Sequence, residues 1–117
     1  MDEFSWFVGL FEGEGTYYSV IPTGKKSPRG IMSIEMTDED TIKKVADYLG
    51  VSYYCRKKTN PNPKHKPIYR VTKVGSVVKG ELKDLMEKMY PYLSERRKTQ
   101  LIDVWKSDPR NSGKYYN

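Results

Sequence analysis

Two carboxylates, Glu12 and Glu14, close the glycine-rich stretch Phe7-Val8-Gly9-Leu10-Phe11-Glu12-Gly13-Glu14-Gly15. Carboxylate oxygens are the ligands that Mg²⁺ takes. Read as a helix, the stretch from Phe4 onward leaves Glu14 just past its C-terminal end, where the helix dipole disfavours a negative charge. If two such helices pair, two Glu14 side chains meet. At ~5 Å and an effective dielectric of ~20 they repel by roughly 3 kcal/mol. A shared divalent cation, Mg²⁺ or Mn²⁺, reverses that sign. The competing reading leaves Glu12 and Glu14 as solvated turn residues.

The second group with chemical potential is basic. Lys25, Lys26 and Arg29 fall in one loop; Lys57, Lys58, Lys64, Lys66 and Arg70 belong to a second hairpin. A charge run can be no more than a solvated face. Against that, both clusters fall near the tips of predicted β-ribbons, a shape that fits the DNA major groove. Lys and Arg there would track phosphates, while Arg56 and Arg70 are candidates for reading base edges. His65, in its Lys/Pro loop, reads as solvated or phosphate-contacting rather than catalytic.

The formal charge of +6 over 117 residues favours a polyanionic partner. The length suits one domain. Cys55 is the only cysteine and His65 the only histidine, which excludes a disulfide scaffold, a zinc finger or a Cys–His nucleophile pair within one chain. Neither a leader pattern nor a long apolar run occurs, so the expectation is an intracellular protein, not secreted and without a membrane span. No dinucleotide fingerprint or phosphate-binding loop is present, and no small-molecule cofactor is expected.

These residues must be positioned by local elements. Phe4, Phe7, Val8 and Phe11 recur at helical spacing as one buried stripe. Trp6, Gly9, Leu10 and Gly13 fall on the opposite side at about 100° per residue. A surface helix of a small domain needs one apolar stripe, so the second, with glycines four apart, is read as a contact with the same helix of a second copy. Gly15–Pro22 and Ile31–Thr37 predict a hairpin around Thr23–Gly30, with Met32, Ile34 and Met36 on one face and Ser33, Glu35 and Thr37 on the other. Thr37 and Asp40 have capping-box spacing ahead of a helix bearing Ile42, Val45, Ala46 and Leu49 and ending at Gly50. Val51–Thr59 and Ile68–Val74 predict a second hairpin. Placing Cys55 inside sends Tyr54, Arg56 and Lys58 outward; Tyr69 and Val71 face in, Arg70 and Thr72 out. Ser76 is expected to cap a helix reaching Tyr90, and Ser94 a last helix through Trp105. The domain is expected over 1–107, with 108–117 a flexible tail. The class is α+β, a four-stranded antiparallel sheet with helices on one face.

The stretch Phe7–Gly15 resembles the LAGLIDADG motif of homing endonucleases. Gly9, Leu10 and Gly15 match directly, both acidic positions are acidic, and Glu stands at position 14 where the motif has Asp. The αββαββα order extends the resemblance over most of the chain. It implies a homodimer joined through Trp6, Gly9, Leu10 and Gly13, and a Mg²⁺ or Mn²⁺ position at Glu14 with Gly13 beside it. It also implies a polar sheet face laid on double-stranded DNA, formed by Ser33, Glu35, Thr37, Tyr54, Arg56, Lys58, Arg70 and Thr72, with Lys25, Lys26, Arg29 and Lys66 at its ends. Asp38 matches the place where the second strand meets its helix, which in the family helps position the catalytic water; helix initiation explains it equally. Matching from Pro91 puts Arg96 where a basic residue approaches the scissile phosphate, with Lys98 two further on. The implied activity is cleavage of a nearly palindromic DNA site in the service of intron mobility. The alternative on the same fold is a catalytically inactive DNA-binding regulator or an RNA maturase.

Overall fold

A computed structural model describes residues 2–56 and 66–111. Ten elements follow in order. Helix α1 covers Glu3–Glu14, strand β1 Gly15–Val20, strand β2 Arg29–Met36, and helix α2 Glu39–Leu49. Strand β3 covers Tyr53–Arg56, strand β4 Ile68–Ser76, helix α3 Glu81–Met89, and helix α4 Glu95–Lys106. Short 3-10 turns occupy Tyr90–Tyr92 and Pro109–Asn111. The four strands form one antiparallel sheet in the order β1-β2-β4-β3, so each predicted hairpin is present. The class is α+β, as the alternation of helical and strand periodicities predicts.

The chain forms two units, 1–15 with 33–73 and 16–32 with 74–117. In the first, Phe7, Phe11, Ile34, Ile42, Val45 and Val71 are fully buried, and the Phe7 ring stacks on Tyr48 at 4.8 Å. The predicted stripe of α1 is therefore the core stripe, with Phe4 half-buried at its start. In the second unit Met32, Leu82, Met86, Met89, Leu101 and Trp105 are buried, and Tyr90 packs against Trp105 at 5.6 Å.

Helix starts and stops follow local chemistry. Asp2 caps α1, its Oδ1 accepting from the Ser5 amide at 2.7 Å, and that bond holds the Asp2 carboxyl below its ordinary range. Glu14 is the last residue of α1 rather than one beyond it, and the chain enters β1 at once through Gly15. A Cβ on Gly15 would lie 2.2 Å from Cδ2 of Phe11. Gly15→Ala is therefore expected to destabilise the fold by about 1–3 kcal/mol through overpacking, read as a lowered midpoint in urea with an unchanged slope.

Helix α2 begins one residue later than the capping-box reading implies. Asp38, not Thr37, is the N-cap, accepting from the Thr41 amide at 3.3 Å and the Thr41 hydroxyl at 3.0 Å. Asp is among the favoured caps because its short carboxylate reaches the free amides of the first turn. Gly50 ends the helix at φ +70°, donating to the Ala46 and Asp47 carbonyls, and Lys73 Nζ donates to the Leu49 carbonyl at 3.0 Å.

Three further expectations are corrected. Ser76 does not start α3: it ends β4, and its Oγ accepts from the Val78 and Lys79 amides, holding a turn. The helix begins only after Gly80, whose φ of +115° other residues rarely adopt. Cys55 is exposed, although the β3–β4 register puts it opposite Tyr69, on the face of buried Val71. It sits near the end of a short edge strand, beyond Tyr53, whose hydroxyl donates to Glu39 of α2 at 2.9 Å. The predicted tail is docked over its first part. Asp108 and Asn111 are buried, and the Asn111 amide donates to the Val77 and Trp105 carbonyls at 2.9 and 3.0 Å. Residues 112–117 lie outside the described residues.

The Asp108 carboxylate accepts from Arg110 Nε at 3.0 and 3.1 Å and from its Nη2 at 2.5 Å. These bonds hold the Asp108 carboxyl below its ordinary range and push the Arg110 guanidinium up. A depressed folded pKa stabilises above the unfolded value of about 4, and that contribution is lost as pH falls through the folded value. Asp108→Asn should therefore melt below the unaltered protein at about pH 7, with the gap closing once pH drops under about 4.

Candidate functional site

The polar face of the sheet in the first unit carries the densest set of predicted residues. The β3–β4 register pairs Tyr54 with Arg70 and Arg56 with Ile68. Directly paired residues share a face, and alternate residues return to it. Tyr54, Arg56, Arg70 and Thr72 therefore stand on one face, opposite Val71. Glu35 of β2 meets two of them. Arg56 Nη1 donates to both Glu35 oxygens at 3.1 Å, and Arg70 Nε lies 3.5 Å from Glu35 Oε1. Arg70 Nε also donates to Ser33 Oγ at 2.9 Å.

Ser33 is thus not part of an open face. It is only 4% exposed, and the Arg70 side chain reaches its hydroxyl. Thr37 is exposed just past the end of β2, and Tyr54 and Lys66 are exposed, while Thr72 is half-buried. Lys58, like Lys57, Lys64 and His65, lies outside the described residues.

At the end of α1 the Glu14 carboxylate is exposed, and Glu12 is half-buried. On the second face of α1, Gly9 and Gly13 are exposed and a Cβ on either would meet nothing within 4 Å. Trp6 and Leu10 are half-buried. Lys44 Nζ lies 4.4 Å from the Trp6 ring centroid. Asp38 is used by the α2 cap, as described above.

In the second unit Lys25, Lys26 and Arg29 line one cleft of about 400 Å³ with Val20, Pro22 and Val74. The turn beneath it is closed by the Lys25 amide donating to the Pro22 carbonyl at 3.0 Å, with Gly24 at φ +78°. That positive φ is what the third position of a type II turn requires. The first turn of α4 is capped by Ser94 as predicted, its Oγ accepting from the Arg97 amide at 3.4 Å. Arg96 is exposed there. Lys98 is half-buried, 5.4 Å from the Tyr90 ring centroid and 3.7 Å from Glu95.

Arg97, between the two predicted cations, is the buried one at 4% exposure, and its Nη1 donates to Gln100 Oε1 at 2.8 Å. Sequence reasoning passed over it. The available signal was its spacing, four residues before Leu101 on the inward stripe of α4. Lys83 of α3 is also buried, paired with Glu87 and 5.5 Å from the Trp105 ring centroid; its charge reads from sequence as surface.

The described residues include no group of three or more His, Cys, Asp or Glu side chains able to hold a metal ion. Among them no helix is long and apolar enough to cross a membrane.

The fold has solved counterparts. The chain is similar to the LAGLIDADG meganuclease I-AabMI, solved bound to uncleaved DNA, with a TM-score of 0.56 and 17% identity over 88% of this chain. It spans 34% of that protein's length. It is also similar to the archaeal intron-encoded homing endonuclease I-Vdi141I, solved in complex with DNA, with a TM-score of 0.54 and 13% identity, covering 98% of this chain and 87% of that one. No protein-family model matches the sequence, and a search of curated proteins gives no match. The fold is that of the LAGLIDADG homing endonucleases. The element order read from the periodicities along the chain is the order this fold carries.

Proposed function

We propose that the protein is a sequence-specific endonuclease of double-stranded DNA, acting as a homodimer with Mg²⁺ or Mn²⁺ and serving the mobility of an intron. The observation that carries this reading is the polar sheet face with Arg56, Arg70 and Tyr54 presented together, on a fold whose solved examples hold DNA. The basic cleft of Lys25, Lys26 and Arg29 supplies phosphate contacts at the tip of the first hairpin.

The donor set fits a shared metal. Mg²⁺ keeps several waters and needs only one or two carboxylates beside phosphate oxygens. One exposed Glu14 per chain supplies that once two α1 helices pair through Trp6, Gly9, Leu10 and Gly13, with the adjacent Gly13 backbone at the same place. When bound, the metal supplies charge neutralisation at the scissile phosphate and a water of lowered pKa. The chain's own part is to hold Glu14 at the junction of α1 and β1, where Gly15 leads directly into the strand. A cation on the first turn of α4, Arg96 or Lys98, stabilises charge on phosphate oxygens.

A plasmid library of randomised sites, incubated with the protein and Mg²⁺, tests this. Linear products whose ends converge on one nearly palindromic sequence are expected. Tight duplex binding without any cutting would instead mark a regulator, and preference for folded intron RNA a maturase.

A further inference from the structure

We propose that Arg70 is the residue with which each chain selects a guanine, and that Glu35 and Ser33 act as positioning residues holding it in reading orientation. This rests on the DNA-binding reading above and specifies the chemistry of that same face.

The three groups come from neighbouring strands of one unit. Arg70 Nε donates to Ser33 Oγ at 2.9 Å and lies 3.5 Å from Glu35 Oε1. The Arg70 side chain is 28% exposed, against 54% for Arg56. Both anchoring contacts use Nε. The terminal pair, Nη1 and Nη2, has no partner among the described residues. A guanidinium fixed by its inner nitrogen and left free at its fork suits the N7 and O6 acceptors of guanine, which take two parallel N–H donors in the major groove. The rotamer entropy that a free arginine loses on binding is already spent in the folded chain.

Glu35 would otherwise be an obstacle on this face. A carboxylate facing DNA repels phosphate, and its presence between two arginines calls for a role. Arg56 donates to both of its oxygens, which balances its charge and leaves Glu35, Arg56 and Arg70 together at a net +1. Glu35 can then hold Arg70 in place without discouraging the duplex. Lys25, Lys26 and Lys66 have no comparable tether among the described residues. They are exposed and suited to phosphates rather than bases.

Selection of bound duplexes from a randomised library, sequenced for the unaltered protein, Arg70→Lys, Glu35→Gln and Lys66→Ala, tests the proposal. The unaltered protein should require guanine at one position, mirrored across a palindromic site. Arg70→Lys keeps the charge and removes the fork; it should lower discrimination at that pair on the order of 10–100-fold and leave the other positions as they were. Glu35→Gln should blur the same pair by a smaller factor while affinity for duplexes as a whole holds or rises, because the face gains a net positive charge; a general packing role would instead weaken all sequences alike. Lys66→Ala should weaken all sequences alike and flatten the salt slope by about one. Two results would overturn the proposal while leaving DNA recognition intact: a uniform loss across sequences in Arg70→Lys, or a Glu35→Gln change confined to a different base pair, where Glu35 would itself be reading cytosine. If the unaltered protein selects no duplex sequence at all, the DNA-binding reading fails together with the proposal.

Discussion

With Glu14 replaced by Gln, the protein is expected to bind its duplex target and leave it uncut. Gln keeps the length and shape of the side chain and removes the charge that a divalent cation requires. Metal assistance is worth several kcal/mol at a transferring phosphoryl centre, and each 1.36 kcal/mol is tenfold in rate. The cleavage rate should therefore fall on the order of 10³-fold or more. Stability should move the other way. Glu14 is exposed at the last position of α1, where a negative charge opposes the helix dipole, so its removal contributes about 0.3–1 kcal/mol to the fold. Binding measured without metal should tighten, since a carboxylate facing phosphate has gone. Single-turnover cleavage and thermal melts on the same preparation separate these effects. Cutting by Glu14→Gln at a rate near that of the unaltered protein would remove Glu14 from the chemistry.

Leucine at Gly9 or Gly13 is expected to yield a chain that folds at least as well and no longer works. A Cβ at either position meets nothing within 4 Å in the single chain, and leucine is better than glycine in a helix interior by about 0.5–1 kcal/mol. The melting temperature of the isolated chain should therefore hold or rise. In a pair of α1 helices the same side chains enter a contact that glycine keeps close, and an overpacked residue costs about 1–3 kcal/mol. Two copies double that to about 2–6 kcal/mol per dimer, a loss of between about 30-fold and 10⁴-fold in association. Sedimentation should show the monomer at concentrations where the unaltered protein pairs, and cleavage of both strands should fall in step. Variants that remain dimeric and active would place the pairing surface elsewhere. The opposite pattern is expected of Gly15→Ala, where the added methyl meets Phe11 within the chain and stability itself is lost.

Much of this fold was legible because it is written in local periodicity. The stripe of Phe7, Val8 and Phe11, the alternation of Met32 and Ile34 against Ser33 and Glu35, and the glycine stop at Gly50 each act within a few residues, where backbone geometry and side-chain direction are set. Capping was legible at Ser94. It was misread at Thr37, where Asp38 reached the free amides instead, and at Ser76, whose hydroxyl satisfied a turn. Spacing also sets Trp6, Gly9, Leu10 and Gly13 apart from that stripe, and in the single chain Gly9 and Gly13 are exposed while Trp6 and Leu10 are half-buried.

The amino-acid sequence by itself determined the elements, their order, the inward faces of the strands and the residues that crowd the polar face. Only the tertiary structure decided how those residues meet. Glu35 and Arg56 are 21 positions apart and Ser33 and Arg70 are 37 apart, so their contacts depend on strand register, which no local pattern encodes. The same holds for buried Arg97 and Lys83, for exposed Cys55, and for Asn111, which the carbonyls of Val77 and Trp105 draw out of a presumed tail. Periodicity tells a residue which way to face. Which donor finds which acceptor is settled only when distant segments are packed together and every buried polar group must be matched.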